Sequence, residues 1–369
     1  MSRNCYLFAG GGTGGHLTPG LAVAAEILKQ DPASRVVFVG SERPLERKMI
    51  AEAGYEHQAL PVESSRTLLR NPLRFMWRNW RALRMAKKLL DGEAPVAVIG
   101  LGGFASIPTM LAARRTGCPT VTLESNAIPG RATRFLSRRV GAVCATFETT
   151  AGQLPAGARV TVTGNPVRAA IAELCHAEAT GGADLPPTLL ILGGSQGAES
   201  LNQAVVEMIA RGLPALASWR VVHQTGANQH ESIARRYAGA GLSHLVEPFF
   251  DDLAPLYASA TLVISRAGAA TLAELACAGC PAILLPYPHA ADNHQLANAK
   301  VFESAGGAIV VDHQRVPSTT ANHLTTAVVE LAQDAARRNA MRSAMRKLAR
   351  PEAAGKVLEV LQTVMARKN

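Results

Sequence analysis

No apolar run in this sequence reaches the length of a bilayer span. Its first residues, Met1-Ser2-Arg3-Asn4-Cys5, lead into a short apolar run and a glycine loop, without a signal peptide's longer apolar stretch and cleavage site. The expectation is a chain that stays in the cytoplasm. Cysteine is scarce: six thiols (Cys5, Cys118, Cys144, Cys175, Cys277, Cys280) are scattered through mostly apolar segments. Cys277 and Cys280 have C-x-x-C spacing, but no second Cys or His pair stands at zinc-site distance. Buried free thiols are the better reading, and no structural metal is expected. An Asp-x-Asp motif for a divalent ion is also missing.

What is present suits two ordinary domains. The 369 residues exceed one usual domain, and 48% hydrophobic with 18% charged residues allows both halves a core. The net charge of +10 is unevenly placed. Residues 1–165 carry 21 Lys/Arg against 11 Asp/Glu, whereas residues 166–369 carry 17 against 17. An excess confined to one half points to a polyanion facing that half, either nucleic acid or anionic lipid.

Short apolar runs alternate with amphipathic helical segments. Cys5–Ala9, Arg35–Gly40, Ala94–Gly100, Thr120–Leu123 and Ala142–Ala145 read as strands, with Thr18–Lys29 as a helix carrying Pro19 in its first turn. After the loop-like stretch Gly181–Pro187 a second series follows: Thr188–Leu192, Arg220–His223, Leu262–Ser265, Ala282–Pro286 and Ala308–Val311, with a helix at Glu199–Ala210. This rhythm predicts parallel sheets covered on both faces. The halves open alike, Leu7-Phe8-Ala9-Gly10-Gly11-Gly12 against Leu190-Ile191-Leu192-Gly193-Gly194. That repeat argues for an α/β protein of two doubly wound domains facing each other across a cleft.

Five segments carry residues suited to chemistry. In Gly10-Gly11-Gly12-Thr13-Gly14-Gly15-His16 the glycines fit a dinucleotide-type loop and admit a ligand close to the backbone. For a nicotinamide site the ribose-binding acid would be Glu42, which comes a little late, and His16 would go unexplained; His16 serves as a base, a donor or a helix cap. Gly193-Gly194-Ser195-Gln196-Gly197 is a matching turn with a hydroxyl for a phosphate oxygen, or a purely structural turn. Arg168, in Gly164-Asn165-Pro166-Val167-Arg168, suits a diphosphate or an interdomain salt bridge. In Ser265–Glu274, Glu274 suits the ribose hydroxyls of a nucleoside, or the N-terminal turn of its own helix. Accompanying this fourth segment, Asp292-Asn293-His294-Gln295 and Asn298 form a polar cluster suited to sugar hydroxyls, or a solvated loop.

The fifth segment, Ser64–Leu90, has eight Lys/Arg and no acid. Leu73, Met76, Trp77, Trp80 and Leu83 follow helical spacing, with Arg74, Arg78, Arg81 and Lys88 around them. Aromatics within a basic ring fit an interfacial helix on an anionic membrane surface. The alternative is an apolar stripe packed on its own domain. No known nucleic-acid motif accompanies the charge, so nucleic acid is not the expected partner.

The chain resembles the MurG family, UDP-N-acetylglucosamine transferases acting on the membrane-bound muramyl-pentapeptide precursor of peptidoglycan. The resemblance runs from about Gly10 to the C-terminus. It rests on Gly11–His16, Glu124-Ser125-Asn126, Gly164–Arg168, Gly193–Ala198, His223-Gln224-Thr225-Gly226 and Ala269–Glu274, in this order and at these spacings. It implies a GT-B fold, with an acceptor- and membrane-facing domain over residues 1–165, a UDP-GlcNAc-binding domain over 166–344, and a final helix of about 345–369 packing back on the first.

Carried over by position, Ser195 and Arg168 would contact the diphosphate, Phe250 the uracil through its backbone, and Glu274 the ribose. Ala269, Ala270, Thr271, Leu272, Ala273, Gln295 and Asn126 would complete the nucleotide-sugar site, with Thr13, Gly14 and Gly15 beside phosphates of the donor or the acceptor. The implied reaction is inverting transfer of GlcNAc to the C4 hydroxyl of undecaprenyl-pyrophosphoryl-MurNAc-pentapeptide (lipid I), giving lipid II. His16 is the first candidate base and Glu124 the second, and no metal or other cofactor is expected. The implied location is the cytoplasmic face of the inner membrane, with contacts to cell-wall synthesis proteins. Two positions depart from the family's usual pattern: Ser125 replaces a glutamine, and Ser64-Ser65-Arg66-Thr67 replaces Ser-Gly-Leu-Arg. The rivals are a UDP-GlcNAc 2-epimerase, a nicotinamide-dependent oxidoreductase and a non-catalytic membrane adaptor.

Overall fold

Strands of valine, isoleucine and leucine, apolar on both faces, need cover on both sides, and the chain supplies it twice. The computed structural model describes residues 3–63, 67, 70–177, 186–193, 198–312 and 317–367. It divides into unit 1 (Met1–Arg168 with Glu352–Asn369) and unit 2 (Ala169–Pro351). The segments 64–66, 181–185 and 194–197, which include Ser195, lie outside the described residues.

Unit 1 holds a seven-stranded sheet of β1 (Cys5–Ala9), β2 (Arg35–Gly40), β3 (Glu56–Ala59), β4 (Ala97–Gly100), β5 (Thr120–Glu124), β6 (Ala142–Ala145) and β7 (Val160–Val162). All pairings are parallel, in the order β3-β2-β1-β4-β5-β6-β7. Its helices are α1 (Gly14–Gln30), α2 (Pro44–Glu52), α3 (Pro72–Glu93), α4 (Ser106–Thr116) and α5 (Arg131–Leu136). One face is packed by Leu7, Val37, Val98, Ala82, Ala86 and Leu90, the other by Phe8, Phe38, Val121 and the final helix.

Unit 2 follows the same plan. Its strands are β8 (Thr188–Leu192), β9 (Arg220–Gln224), β10 (Ser243–Glu247), β11 (Ala260–Ser265), β12 (Ala282–Leu284) and β13 (Ala308–Val310), in the order β10-β9-β8-β11-β12-β13. The helices are α6 (Ala169–Ala172), α7 (Glu199–Ile209), α8 (His230–Tyr237), α9 (Ala254–Ser259), α10 (Ala269–Ala278), α11 (His294–Ser304), α12 (Pro317–Gln333) and α13 (Ala335–Leu348). In each sheet the winding reverses beside the first strand, between β1 and β4 and between β8 and β11. Such a switch point parts the loops at the strands' carboxyl ends and opens a crevice for a ligand.

Several boundaries differ from the sequence reading; β4, for one, begins at Ala97 rather than Ala94, which is the left-handed C-cap of α3. The first unit runs to Arg168 rather than 165, and the return begins at Glu352 rather than 345. α13 stays in unit 2 because Met341 and Met345 are buried there, and the extended Ala349 before Arg350 and Pro351 ends it. Only α14 (Ala353–Ala366) returns, burying Val357, Leu358 and Leu361 against the unit 1 sheet. α1 begins at Gly14, four residues earlier than expected, so Pro19 stands in its second turn. The proline supplies no N–H to the turn before it, and the Thr18 hydroxyl donates to the Gly14 carbonyl at 3.0 Å.

Candidate functional site

In unit 1 the switch point is built from two glycine segments. Gly10, Gly11 and Gly12, following β1, all have positive φ (115°, 145°, 88°). A Cβ at Gly10 would stand 2.6 Å from the Gly102 carbonyl oxygen, so the segment after β4 fits against the first only without side chains. Thr13 is the N-cap of α1, and Gly14, Gly15 and His16 form its first turn. Thr13 Oγ1 and His16 Nδ1 are 3.2 Å apart, and the ring lies over Gly102 and Gly103. The N-cap position itself is held by Thr13 and not by His16. Its imidazole is half-buried at the crevice, where a proton acceptor is useful.

Glu124 ends β5 and is 5% exposed. Its Oε1 accepts from the Asn126 backbone N–H at 3.0 Å and from Asn126 Nδ2 at 3.4 Å, and its Oε2 accepts from the Gly130 N–H at 2.9 Å. The carboxylate thus holds the 124–130 turn. The Asn126 carbonyl in turn accepts from Thr150 Oγ1 at 3.1 Å. Arg168, half-buried, is the last residue of the first stretch of unit 1.

In unit 2 the switch point brings together the ends of β8 and β11. Glu274 is 5% exposed, beyond the first turn of α10, so it does not serve the helix end. Its Oε2 accepts from the Tyr257 hydroxyl at 2.9 Å. Ala270, Thr271 and Ala273 are partly exposed and Ala269 is buried. Leu272 is 0% exposed, turned into the core by helical spacing, and it leaves the proposed ligand-contact set as a side chain. The Phe250 N–H donates to Gln224 Oε1 at 3.1 Å; a ligand would have to use that residue's carbonyl or ring. Gln295 Oε1 accepts from the Tyr287 N–H at 2.9 Å. Asn298 is fully buried and donates to the Ala267 carbonyl at 3.2 Å, so this part of the polar cluster is a brace and not a solvated loop.

Arg266 had no role in the sequence reading, although it directly follows an apolar strand. Its Nη1 donates to the Leu285 carbonyl at 2.9 Å and its Nη2 to Ser200 Oγ at 2.5 Å, in the first turn of α7. Burial pulls its pKa down to about 10, with Tyr287 opposing. No carboxylate pairs with it among the described residues. A desolvated guanidinium beside two helix N-termini is a place for an anion.

The segment expected at a membrane is exposed at its start. On α3, Leu73, Met76, Trp77 and Trp80 are 79%, 65%, 56% and 49% exposed, and only Ala82, Ala86 and Leu90 are buried. Of the apolar stripe, Leu83 packs against the unit 1 core and the four stripe residues before it do not. Arg84 lies 3.7 Å over the Trp80 ring and Arg81 5.6 Å over Trp77. Two acids the segment itself lacks come from elsewhere in the unit: Arg74 pairs with Glu63 at 3.1 Å, and Arg78 with Glu63 at 3.3 Å and Glu42 at 3.6 Å. Among the described residues no helix is long and apolar enough to cross a membrane. Cys277 and Cys280 are buried free thiols, and burial pushes the Cys280 thiol up to about 12.

With this geometry in hand, the comparisons are specific. The N-terminal domain model of glycosyltransferase family 28 matches residues 6–145, and its C-terminal domain model matches residues 188–357. The chain is 37% identical over 379 residues to a UDP-N-acetylglucosamine–N-acetylmuramyl-(pentapeptide) pyrophosphoryl-undecaprenol N-acetylglucosamine transferase of Desulfotalea psychrophila, covering 99% of this chain and 98% of the relative. It is 38% identical over 361 residues to the enzyme of the same description from Syntrophotalea carbinolica, covering 97% and 98%. Among solved structures, Acinetobacter baumannii MurG aligns with a TM-score of 0.74 at 30% identity over 98% of this chain and 100% of that one. A UDP-GlcNAc 2-epimerase from Neisseria meningitidis aligns with a TM-score of 0.67 over 98% and 100%, but at 14% identity this likeness shows the fold alone.

Proposed function

Because the chain belongs to the MurG family of GT-B N-acetylglucosaminyltransferases, we propose that it transfers GlcNAc from UDP-GlcNAc to the C4 hydroxyl of undecaprenyl-pyrophosphoryl-MurNAc-pentapeptide. The product is the disaccharide-linked lipid II of peptidoglycan synthesis. The observation that carries this reading is the pair of switch-point crevices: one presents an imidazole, the other a buried carboxylate and a half-buried guanidinium.

The acceptor oxygen attacks the anomeric carbon from the face opposite UDP and forms the new C–O bond. The bond to the diphosphate oxygen breaks, UDP leaves with the electron pair, and His16 takes the hydroxyl proton. Configuration at the anomeric carbon inverts. Charge growing on UDP meets Arg168, Arg266, Ser195 and helix N-termini, which supply positive potential without an ion; we therefore propose that no metal or other cofactor is required. Glu274 accepts from the ribose, while Asn126, Gln295, Phe250 and the start of α10 border the nucleotide-sugar. The exposed face of α3 rests on anionic lipid at the cytoplasmic side of the inner membrane, where the acceptor is anchored and other cell-wall synthesis proteins can reach the enzyme.

The decisive experiment is UDP release from UDP-GlcNAc with and without lipid-linked muramyl-pentapeptide. Release that depends on the acceptor and yields the disaccharide is expected. Epimerised UDP-GlcNAc without acceptor-dependent release would replace this reading.

A further inference from the structure

Glu46, in the first turn of α2, is a charged group that the proposed chemistry does not use, yet its side chain is wholly removed from solvent. A carboxylate survives such burial only where hydrogen bonds and dipoles stand in for water. Here the Ser41 N–H donates to Oε1 at 3.1 Å, the Ser41 hydroxyl donates to Oε2 at 2.6 Å, and the N-terminal end of α2 adds its positive pole. His57 Nε2 lies 3.8 Å from Oε1.

What this carboxylate supports is the glycine loop. A Cβ at Gly40, the last residue of β2, would fall 1.5 Å from Glu46 Oε1, and a Cβ at Gly11 would fall 2.6 Å from the same oxygen. Side chains at positions 11 and 40 are thus excluded by the carboxylate, and the loop rests directly on it. One residue on, the Gly12 carbonyl accepts from Arg43 Nη1 at 2.8 Å, from the same segment that carries Glu46. Thr13 and the first turn of α1 follow at once, and with them the imidazole.

We infer that Glu46 is a positioning residue: its buried carboxylate, fixed by Ser41, sets the height of the Gly10–Gly12 loop and thereby the place of the His16 ring. It acts through Gly11 and Gly12, and the inference rests on the role proposed for His16. A near-attack geometry tolerates little displacement, and a misplacement of about 1 Å costs up to about 100-fold in rate.

The test uses the full chain with Glu46→Gln, which keeps length and shape but puts an amide donor where a carboxylate oxygen accepts. The readouts are kcat and KM for both substrates and the His16 ring resonance in the 13C-labelled protein, assigned by its loss in His16→Ala. Expected are a kcat lower by about 10- to 100-fold, KM values within about threefold of native, and a displaced His16 resonance. A folded Glu46→Gln enzyme with native turnover, or with an unmoved His16 resonance, overturns the inference. If Glu46→Gln does not fold, Ser41→Ala carries the same readouts, since it removes one donor from the carboxylate. A displaced resonance with a smaller kcat loss supports the inference, and an unmoved one overturns it. The two readings fail separately: His16→Ala with native turnover ends the assignment of His16 as base, whereas the resonance still reports whether Glu46 sets the loop.

Discussion

Tyr257 donates its hydroxyl proton to Oε2 of Glu274 across 2.9 Å, with both side chains buried in unit 2. A hydrogen bond to a charged group contributes about 1.5–3 kcal/mol, and here it also fixes which way the carboxylate faces. Tyr257→Phe is expected to raise KM for UDP-GlcNAc about tenfold or more with kcat little changed. Steady-state kinetics at saturating acceptor provides the check, and an unchanged KM would detach Tyr257 from donor binding.

General-base catalysis contributes about 10²- to 10⁴-fold. His16→Ala should therefore lose at least about 100-fold in kcat with both substrates saturating. A variant that keeps near-normal turnover would remove His16 from the role.

Arg266 is held by two carbonyls and a serine hydroxyl, and a diphosphate would supply the anion it lacks. A ligand present at about 100 times its Kd stabilises the folded state by about 2.7 kcal/mol. Arg266→Met should forfeit most of the rise in Tm that UDP gives the native protein. Thermal melts with and without UDP measure this, and a preserved rise would place the diphosphate elsewhere.

The exposed indoles of Trp77 and Trp80 give a prediction about location rather than chemistry. Replacing both with serine should abolish co-sedimentation with vesicles rich in anionic phospholipid. Turnover of a water-soluble acceptor analogue should stay within about twofold, since these side chains are part of an interfacial face. Vesicle binding that survives the double substitution would move the membrane contact away from α3.

His223 is fully buried between Tyr237 Oη (2.9 Å from Nδ1) and Asn202 Oδ1 (3.1 Å from Nε2). Burial pushes its pKa down to about 3 from the ordinary 6.5. The unfolded chain therefore takes up this proton first. The stability contribution is complete above pH 6.5 and declines as pH falls from there toward 3, by up to about 1.4 kcal/mol per pH unit. His223→Phe should show a shallower loss of stability than native between pH 6.5 and 4 in urea melts. Parallel slopes for the two proteins would refute the assignment.

The central strands were legible because a strand buried on both faces is an apolar run: Val36-Val37-Phe38-Val39 and Leu189-Leu190-Ile191-Leu192 have no other reading. Three edge strands were missed for the converse reason. β3 (Glu-His-Gln-Ala) and β10 (Ser-His-Leu-Val-Glu) are polar and partly exposed, and β7 (Val-Thr-Val) is short and largely exposed. The first glycine loop was visible because Gly10, Gly11 and Gly12 take positive φ directly after an apolar strand. Arg266, Tyr257 and Glu46 were not assigned, since their roles come from partners distant in sequence, such as Ser200 for Arg266 and Gly11 for Glu46. Leu272 shares a motif with its neighbours, and helical geometry turns its side chain inward, so only its backbone could border a ligand.

Because α14 adds Val357, Leu358 and Leu361 to a sheet face that α1 and α2 cover only in part, the patch over β5 and β6 stays open until a segment made after the whole second unit has arrived. The later-made unit, contiguous from 169 to 351, can finish folding while the earlier one still waits for its closing layer. Order of synthesis and order of completion can therefore be reversed, and a nascent chain stalled near residue 350 would leave the apolar patch over β5 and β6 uncovered.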